Sequence, residues 1–96
     1  FLEQAKRRHE IVTAYVFGSY ASGRQRDWSD IDIAVVLGGE SATPDRYPGE
    51  TFEIFHEAQT YNSLLEPICF KREKFEENGV SIIARIKREG IPVAAA

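Results

Sequence analysis

The sequence predicts a small α/β (α+β) domain in which helices pack on a mixed sheet of three to four strands. Two short runs rich in β-branched and aromatic residues, 12–17 and 31–37, have the composition of buried strands. Amphipathic segments with helical spacing precede and follow these runs. The 96 residues, 43% of them hydrophobic, suffice for one core, and no repeat or linker divides the chain. We therefore expect residues 1–96 to form a single domain.

The first half of the chain contains two strands joined through a glycine turn. Residues 2–11 are predicted to form a helix because their apolar positions share one side. The strand over 12–17 ends at a glycine, and Ser19 is a suitable N-cap for a short helix or turn. Residues 23–29 are polar and are expected to form a loop. The run 31–37 is the clearest strand, with large aliphatic residues on one of its faces.

The second half of the chain adds a third strand candidate and two helices. Pro67 lacks a backbone N–H, so its strand is predicted to lie at a sheet edge or to bend. Ile82, Ile83 and Ile86 recur at helical spacing and are predicted to face the core. In order, the pattern predicts a loop over 40–50, a helix over 51–61, a strand over 63–70, a charged connection over 74–79, a helix over 80–89 and an extended piece over 91–93.

Composition argues against two classes of partner. The formal net charge is −3, and Lys and Arg lie scattered beside acids, so we expect no dedicated nucleic-acid surface. No apolar stretch approaches the roughly 20 residues that a membrane span needs, so we expect no membrane association. The lone Cys69 suits a reducing compartment, and a cytoplasmic location is expected. His9 and His56 have no partner at metal-ligand spacing and are assigned no function.

Asp30 and Asp32 open the strand over 31–37 and are the first candidates for chemistry. Residues i and i+2 of a strand project from the same face, with Cα atoms about 6.6 Å apart. Two carboxylates this close repel each other, and Mg²⁺ relieves that repulsion because it prefers oxygen ligands. Taken alone, such a pair is more often two solvated acids at the end of a strand.

Gly18 and Ser19 form a second candidate site at the end of the preceding strand. Glycine permits a close backbone approach, and the first N–H groups of a helix attract anions. The Ser19 hydroxyl adds a donor, so this turn could hold the tail of a nucleoside triphosphate. Taken alone, the pair is more often an ordinary strand-to-helix turn with a serine cap.

Together the two motifs resemble the signature of the DNA polymerase β-like nucleotidyltransferase superfamily. That signature is Gly-Ser-x-Ala-x-Gly, a loop, and then Ser-Asp-hydrophobic-Asp-hydrophobic. Here it stands as Gly18-Ser19-Tyr20-Ala21-Ser22-Gly23 followed by Ser29-Asp30-Ile31-Asp32-Ile33. The short chain is similar to the minimal nucleotidyltransferases of bacteria and archaea, the MntA-like antitoxins. The resemblance covers nearly the whole chain and implies the nucleotidyltransferase fold.

The resemblance also implies a third carboxylate, supplied by a neighbouring strand. This group would complete the metal site or act as a base toward the acceptor hydroxyl. Glu66 is the candidate because it lies in the third predicted strand, but Asn62 has the same strand parity. If Asn62 occupies the third position, the site has one charge fewer. Lys71 and Arg72, at the end of that strand, are candidates for facing the triphosphate.

The function implied by the resemblance is a Mg²⁺-dependent, adenylyltransferase-like reaction. A nucleoside monophosphate, AMP from ATP or its equivalent from another NTP, would pass to a hydroxyl. Asp30, Asp32 and Glu66 would bind the metal and serve the chemistry, while Gly18 and Ser19 would bind the nucleotide. The acceptor would lie on a helical HEPN-type partner, with this chain as the antitoxin of a toxin–antitoxin pair.

An alternative function follows from a departure from the family pattern. Many relatives carry Arg where this chain has Ser22, and the third acid is not settled. The chain would then be a catalytically weak or inactive subunit that masks a helical partner through an apolar surface. The sequence is also compatible with a homodimer. A small-molecule acceptor would require an added helical domain.

Overall fold

The computed structural model describes residues 1–18, 30–77 and 81–94. The strands in these ranges are β1 (Ile11–Phe17), β2 (Ile31–Leu37), β3 (Leu65–Lys71) and β4 (Ile91–Ala94). The helices are α1 (Leu2–Arg8), α2 (Tyr47–Tyr61), α3 (Arg72–Glu77) and α4 (Ser81–Glu89), and a short 3-10 helix spans Gly39–Ala42. None of these helices is both long and apolar enough to cross a bilayer.

The four strands form one mixed sheet in the order β3-β2-β1-β4. β1 is antiparallel to both β2 and β4, whereas β2 and β3 are parallel. Parallel neighbours need a long crossover connection, and here the 3-10 helix and α2 provide it. The predicted mixed sheet of three to four strands packed by helices is confirmed.

Each face of the sheet carries its own hydrophobic core, because β2 is buried on both sides. Alternate residues of β2 enter opposite cores. The core under α1 and α2 includes Ala5, Ile33, Val35, Leu37, Ile54 and Ala58. The core under α3 and α4 consists of Ala34, Val36, Phe75, Ile83 and Ile86. Ile82, which the sequence predicts to face inward, is 41% exposed because it lies at the margin of the buried stripe of α4.

β3 lies at one edge of the sheet, which confirms the prediction from Pro67. Two side chains of α2 reach over to this strand. Gln59 Nε2 donates a hydrogen bond of 2.6 Å to the carbonyl of Leu65, and the Tyr47 hydroxyl donates one of 2.9 Å to the carbonyl of Cys69. Burial raises the pKa of the Cys69 thiol to about 12, so this cysteine is inert at neutral pH.

Two helix boundaries differ from the sequence prediction. The helix predicted over 2–11 ends at Arg8, because Ile11 already pairs with β2. α2 begins at Tyr47, inside the predicted loop, because Pro48 is tolerated in the first turn of a helix, where its missing N–H leaves no bond unmade. The predictions for Ser19 and for the loop over 23–29 lie outside the described residues.

The connection predicted over 74–79 is wrong for residues 74–77, which belong to α3 (Arg72–Glu77), and residues 78 and 79 lie outside the described residues. Phe75 anchors this helix in the core and is only 4% exposed. The side chains of Arg72 and Glu76, one turn apart, form an ion pair of 2.8 Å on its solvent side. Phe75 is therefore the side chain through which this short helix docks on the core.

Candidate active site

Two neighbouring strands, β2 and β3, bring acidic side chains to one end of the sheet. Asp32 lies near the start of β2, where it is paired with Phe17 of β1 and with Glu66 of β3. Asp30 immediately precedes β2 and is exposed. Residues in register on adjacent strands point to the same face, and the strands lie about 4.8 Å apart. Asp32 and Glu66 therefore present their carboxylates side by side on one face.

Gly18 follows the last residue of β1 and lies against Asp32. Its φ is 76°, in the left-handed region that favours glycine. A Cβ atom at this position would stand 3.4 Å from Cγ of Asp32 and still closer to its carboxylate oxygen Oδ2. The backbone at Gly18 thus approaches the Asp32 carboxylate so closely that a side chain at position 18 would require the carboxylate to shift.

The electrostatics of these acids suit a divalent cation. Burial raises the pKa of Asp32, and the negative charge of Asp30 raises it further. Within residues 1–18, 30–77 and 81–94, no Lys or Arg forms an ion pair with Asp30, Asp32 or Glu66. Carboxylate oxygens are the ligands that Mg²⁺ prefers, so this donor set fits such an ion.

The other sequence candidates lie elsewhere. Asn62 caps the C-terminus of α2, and its Oδ1 accepts a hydrogen bond of 2.9 Å from the Leu64 N–H. It therefore belongs to the turn before β3 and does not lie beside Asp32. Lys71 pairs in register with Leu37, at the far end of the strands, and its Nζ lies 5.1 Å from the centre of the Tyr47 ring.

Arg72, the other cation considered for the triphosphate, also lies at that far end. It follows β3 directly and pairs with Glu76 of its own helix. The structure therefore does not bring Lys71 or Arg72 to the acids of β2, and their expected contact with the triphosphate is not supported. Ser19 and Ser22 lie outside the described residues.

Comparison with protein families identifies the fold. The family profile described as polymerase beta, nucleotidyltransferase, matches residues 2–94. The chain belongs to this nucleotidyltransferase family. No protein among the curated sequences matches the chain significantly.

Three solved structures share the fold of this nucleotidyltransferase domain. A protein from Sulfolobus solfataricus assigned as a nucleotidyltransferase aligns over 95% of this chain and 70% of its own, at 19% identity and a TM-score of 0.61. A toxin–antitoxin structure with AMP-PNP aligns over 99% of this chain and 71% of its own, at 19% identity and a TM-score of 0.59. A MntA–HpeT toxin–antitoxin structure with two Asp-to-Glu substitutions aligns over 99% and 71%, at 16% identity and a TM-score of 0.61.

A second polar cluster lies at the opposite end of this nucleotidyltransferase domain, where β1 begins. The His9 side chain is wholly buried, with Nδ1 2.7 Å from Glu50 Oε2 and Nε2 3.3 Å from Glu57 Oε1. Ser41 donates a hydrogen bond of 2.5 Å to Glu50 and accepts one of 2.9 Å from the Glu10 N–H. The sequence carries no signal for this cluster, because His9 and Glu50 are 41 residues apart.

This cluster is better explained as a salt-bridged clamp than as a metal centre. Burial alone would raise the pKa of Glu50, but hydrogen bonds from Ser41 and His9 and the charges of His9 and Arg46 lower it. His9, Glu50 and Glu53 do place one ligand atom each within 4.8 Å of one another. However, both ring nitrogens of His9 already lie within hydrogen-bonding distance of carboxylates, Glu50 and Glu57, so a metal ligated by His9 would have to displace one of these contacts.

Glu50→Gln is expected to lower the free energy of unfolding by about 3 kcal/mol at pH 7, because it removes one partner of a buried charged network. Because the pKa of Glu50 is lowered in the folded state, its ionised form stabilises the fold at pH values above 4.5, the ordinary pKa of the group. This contribution is lost as the pH falls through the folded-state pKa. The difference between variant and wild type should therefore shrink below pH 4.5. Urea unfolding at several pH values measures it.

The matched control is Glu53→Gln, which changes an exposed acid one turn along the same helix. This variant should stay within about 0.5 kcal/mol of the wild type. Equal losses in both variants would contradict a role specific to the clamp.

Proposed function

We propose that this chain is a Mg²⁺-dependent nucleotidyltransferase that transfers a nucleoside monophosphate, AMP from ATP, to a hydroxyl group. The observation that carries this proposal is the register of the sheet, which sets Asp32 beside Glu66. Asp30 at the start of β2 and Gly18 against Asp32 complete the same end of the sheet. Enzymes of this family generally use divalent metal ions.

In this proposal Asp30, Asp32 and Glu66 would hold the ion, which would supply positive charge against the charge that develops on the α-phosphoryl group. Gly18 and Ser19 hold the phosphates through N–H groups and a hydroxyl. The acceptor oxygen forms a bond to the α-phosphorus while the bond to the bridging oxygen breaks and pyrophosphate leaves. Glu66 helps to activate the acceptor by taking the proton of its hydroxyl.

The acceptor that we propose is a hydroxyl on a helical HEPN-type partner protein, with this chain acting in the cytoplasm as the antitoxin of the pair. Two structures of the same fold support this assignment. One is a toxin–antitoxin structure with AMP-PNP. In the other, MntA–HpeT, the two substituted aspartates stand two positions apart, which is the spacing of Asp30 and Asp32.

One surface favours partner binding independently of catalysis. Phe52 and Phe55 of α2 are 64% and 45% exposed, and the Phe52 ring lies 4.7 Å from the ring of His56. We call these three residues the α2 strip. Glu50 and Glu57 of α2 are already paired with His9, so the strip suits an apolar surface on the partner. This observation favours the second candidate function, a noncatalytic subunit that masks a helical partner.

Labelled ATP distinguishes the two functions. The chain, Mg²⁺ and the product of the adjacent gene are incubated with ATP labelled at the α- or the γ-phosphate. Adenylyl transfer predicts label on the partner from the α-phosphate only, and none when EDTA removes the metal. If the partner binds but acquires no label, the enzymatic function is excluded and the masking subunit is supported.

The variant Phe52→Ser/Phe55→Ser tests the α2 strip in the same experiment. It should weaken the complex at least tenfold, since each exposed ring that is buried on binding contributes about 1.5 kcal/mol or more. Thr51→Ser, a neighbouring change outside the strip, serves as the control. Unchanged partner affinity in the double variant would exclude this face as the interface.

A further inference from the structure

We infer that Gly18 is a positioning residue for Asp32, in addition to any contact it makes with a nucleotide. The catalytic consequence rests on the proposed function, whereas the geometry does not. A Cβ atom at position 18 would meet Oδ2 of Asp32 inside van der Waals contact, Cγ at 3.4 Å and Cβ at 3.6 Å. The Asp32 carboxylate therefore occupies the space that a side chain at position 18 would need.

The backbone of Asp32 cannot move away to relieve such a contact. Asp32 is held in register by Phe17 on one side and by Glu66 on the other, in the interior of the sheet. Phe17 directly precedes Gly18, so the same ladder also fixes the chain up to position 18. The least costly way to accommodate a side chain at position 18 is therefore rotation of the Asp32 side chain.

Rotation of Asp32 matters because metal ligands require precise placement. Mg²⁺ demands nearly ideal octahedral geometry. A functional constellation must be held to within about 0.5 Å of its productive arrangement, and changes in groups that orient metal ligands typically weaken binding about 10- to 100-fold. The absence of a side chain at Gly18 thus keeps the Asp32 carboxylate directed toward the acidic end of the sheet.

Gly39 provides a matched control at the other end of β2. It also has a positive φ, 53°, and a Cβ there would also meet a carboxylate, that of Glu10. Gly39→Ala therefore also places a side chain at a positive φ and brings it into an even closer contact with a carboxylate, without touching Asp32. A purely structural need for glycine affects both positions alike, whereas positioning of Asp32 affects only Gly18→Ala.

Two measurements test the inference in the intact chain. Three-bond NMR couplings report the χ1 rotamer of Asp32, which should change in Gly18→Ala and stay unchanged in Gly39→Ala. Mn²⁺ titration should show affinity reduced about 10- to 100-fold in Gly18→Ala and within twofold of wild type in Gly39→Ala. An unchanged Asp32 rotamer in Gly18→Ala would overturn the inference, as would equal losses of Mn²⁺ affinity in the two variants.

Failure of the proposed function can be distinguished from failure of the positioning role of Gly18. If the wild type binds no Mn²⁺, the metal-dependent function fails, and the Asp32 rotamer still decides the positioning role. If Gly18→Ala does not fold, the double variant Gly18→Ala/Asp32→Ala removes the carboxylate that causes the conflict. Restored folding supports the inference, and continued failure to fold shows that backbone strain alone is responsible.

Discussion

Asp32→Asn is expected to reduce adenylyl transfer roughly 1,000-fold, because a metal ion supplies several kcal/mol of transition-state stabilisation and each 1.36 kcal/mol is worth a factor of ten. The same change should stabilise the metal-free domain at pH 7. Burial and the neighbouring charge of Asp30 raise the pKa of Asp32, so its ionised form opposes folding. Asparagine has a similar shape and no charge, and it removes that opposition. Transfer of α-labelled ATP and urea unfolding measure the two effects.

The expected stabilisation of the metal-free domain by Asp32→Asn can be tested by measuring unfolding at several pH values. A carboxyl group whose folded-state pKa is raised destabilises the fold when ionised, and this effect disappears when the group is protonated in both states. The stability gained in Asp32→Asn should therefore vanish as the pH falls below the ordinary value of 3.8. Asp45→Asn, at an exposed position in the turn before α2, is the control and should change neither transfer nor stability. Loss of stability in Asp32→Asn at pH 7 would contradict the proposed electrostatics.

Glu66→Gln is expected to reduce transfer about 100-fold, in line with the loss of one general base or one metal-bound carboxylate. Asn62→Ala should reduce it by less than about threefold, because Asn62 caps a turn and does not lie beside Asp32. Its lost hydrogen bond should lower the free energy of unfolding by about 1 kcal/mol. Transfer assays at saturating Mg²⁺, with unfolding curves for both variants, separate these effects.

The opposite pattern would identify a different third residue. If Asn62→Ala abolishes transfer and Glu66→Gln leaves it intact, the register between β2 and β3 does not define the site. If neither variant affects transfer, two carboxylates suffice and the acceptor hydroxyl loses its proton to another group.

The sequence predicted the parts of the fold that local composition determines. The predicted bounds of β2, 31–37, are correct because both of its faces are buried and a pair of glycines ends the run. Pro67 placed β3 at an edge for a reason that holds in any sheet. α3 was missed because Phe75 is its only apolar residue, so the segment has no apolar periodicity from which a helix could be predicted.

The residues of the candidate site also divide into those that the sequence identifies by itself and those that only the folded structure brings together. Asp30 and Asp32 could be singled out from their spacing and from the motif that precedes them. The choice between Glu66 and Asn62 required the pairing register of two strands separated by a helix, which composition does not encode. His9 and Glu50 meet only because α1 and α2 pack on the same face of the sheet.

The hydrogen bonds that α2 makes to β3 limit how this protein can associate with other chains. An exposed edge strand normally invites another strand, whether from a binding partner or from an aggregating copy. Here the carbonyls of Leu65 and Cys69 are already occupied by Gln59 and Tyr47, and Pro67 between them offers no N–H. An added strand would have to compete with both of these hydrogen bonds and would gain no N–H from Pro67, so this edge favours partners that recognise side chains and disfavours fibril growth.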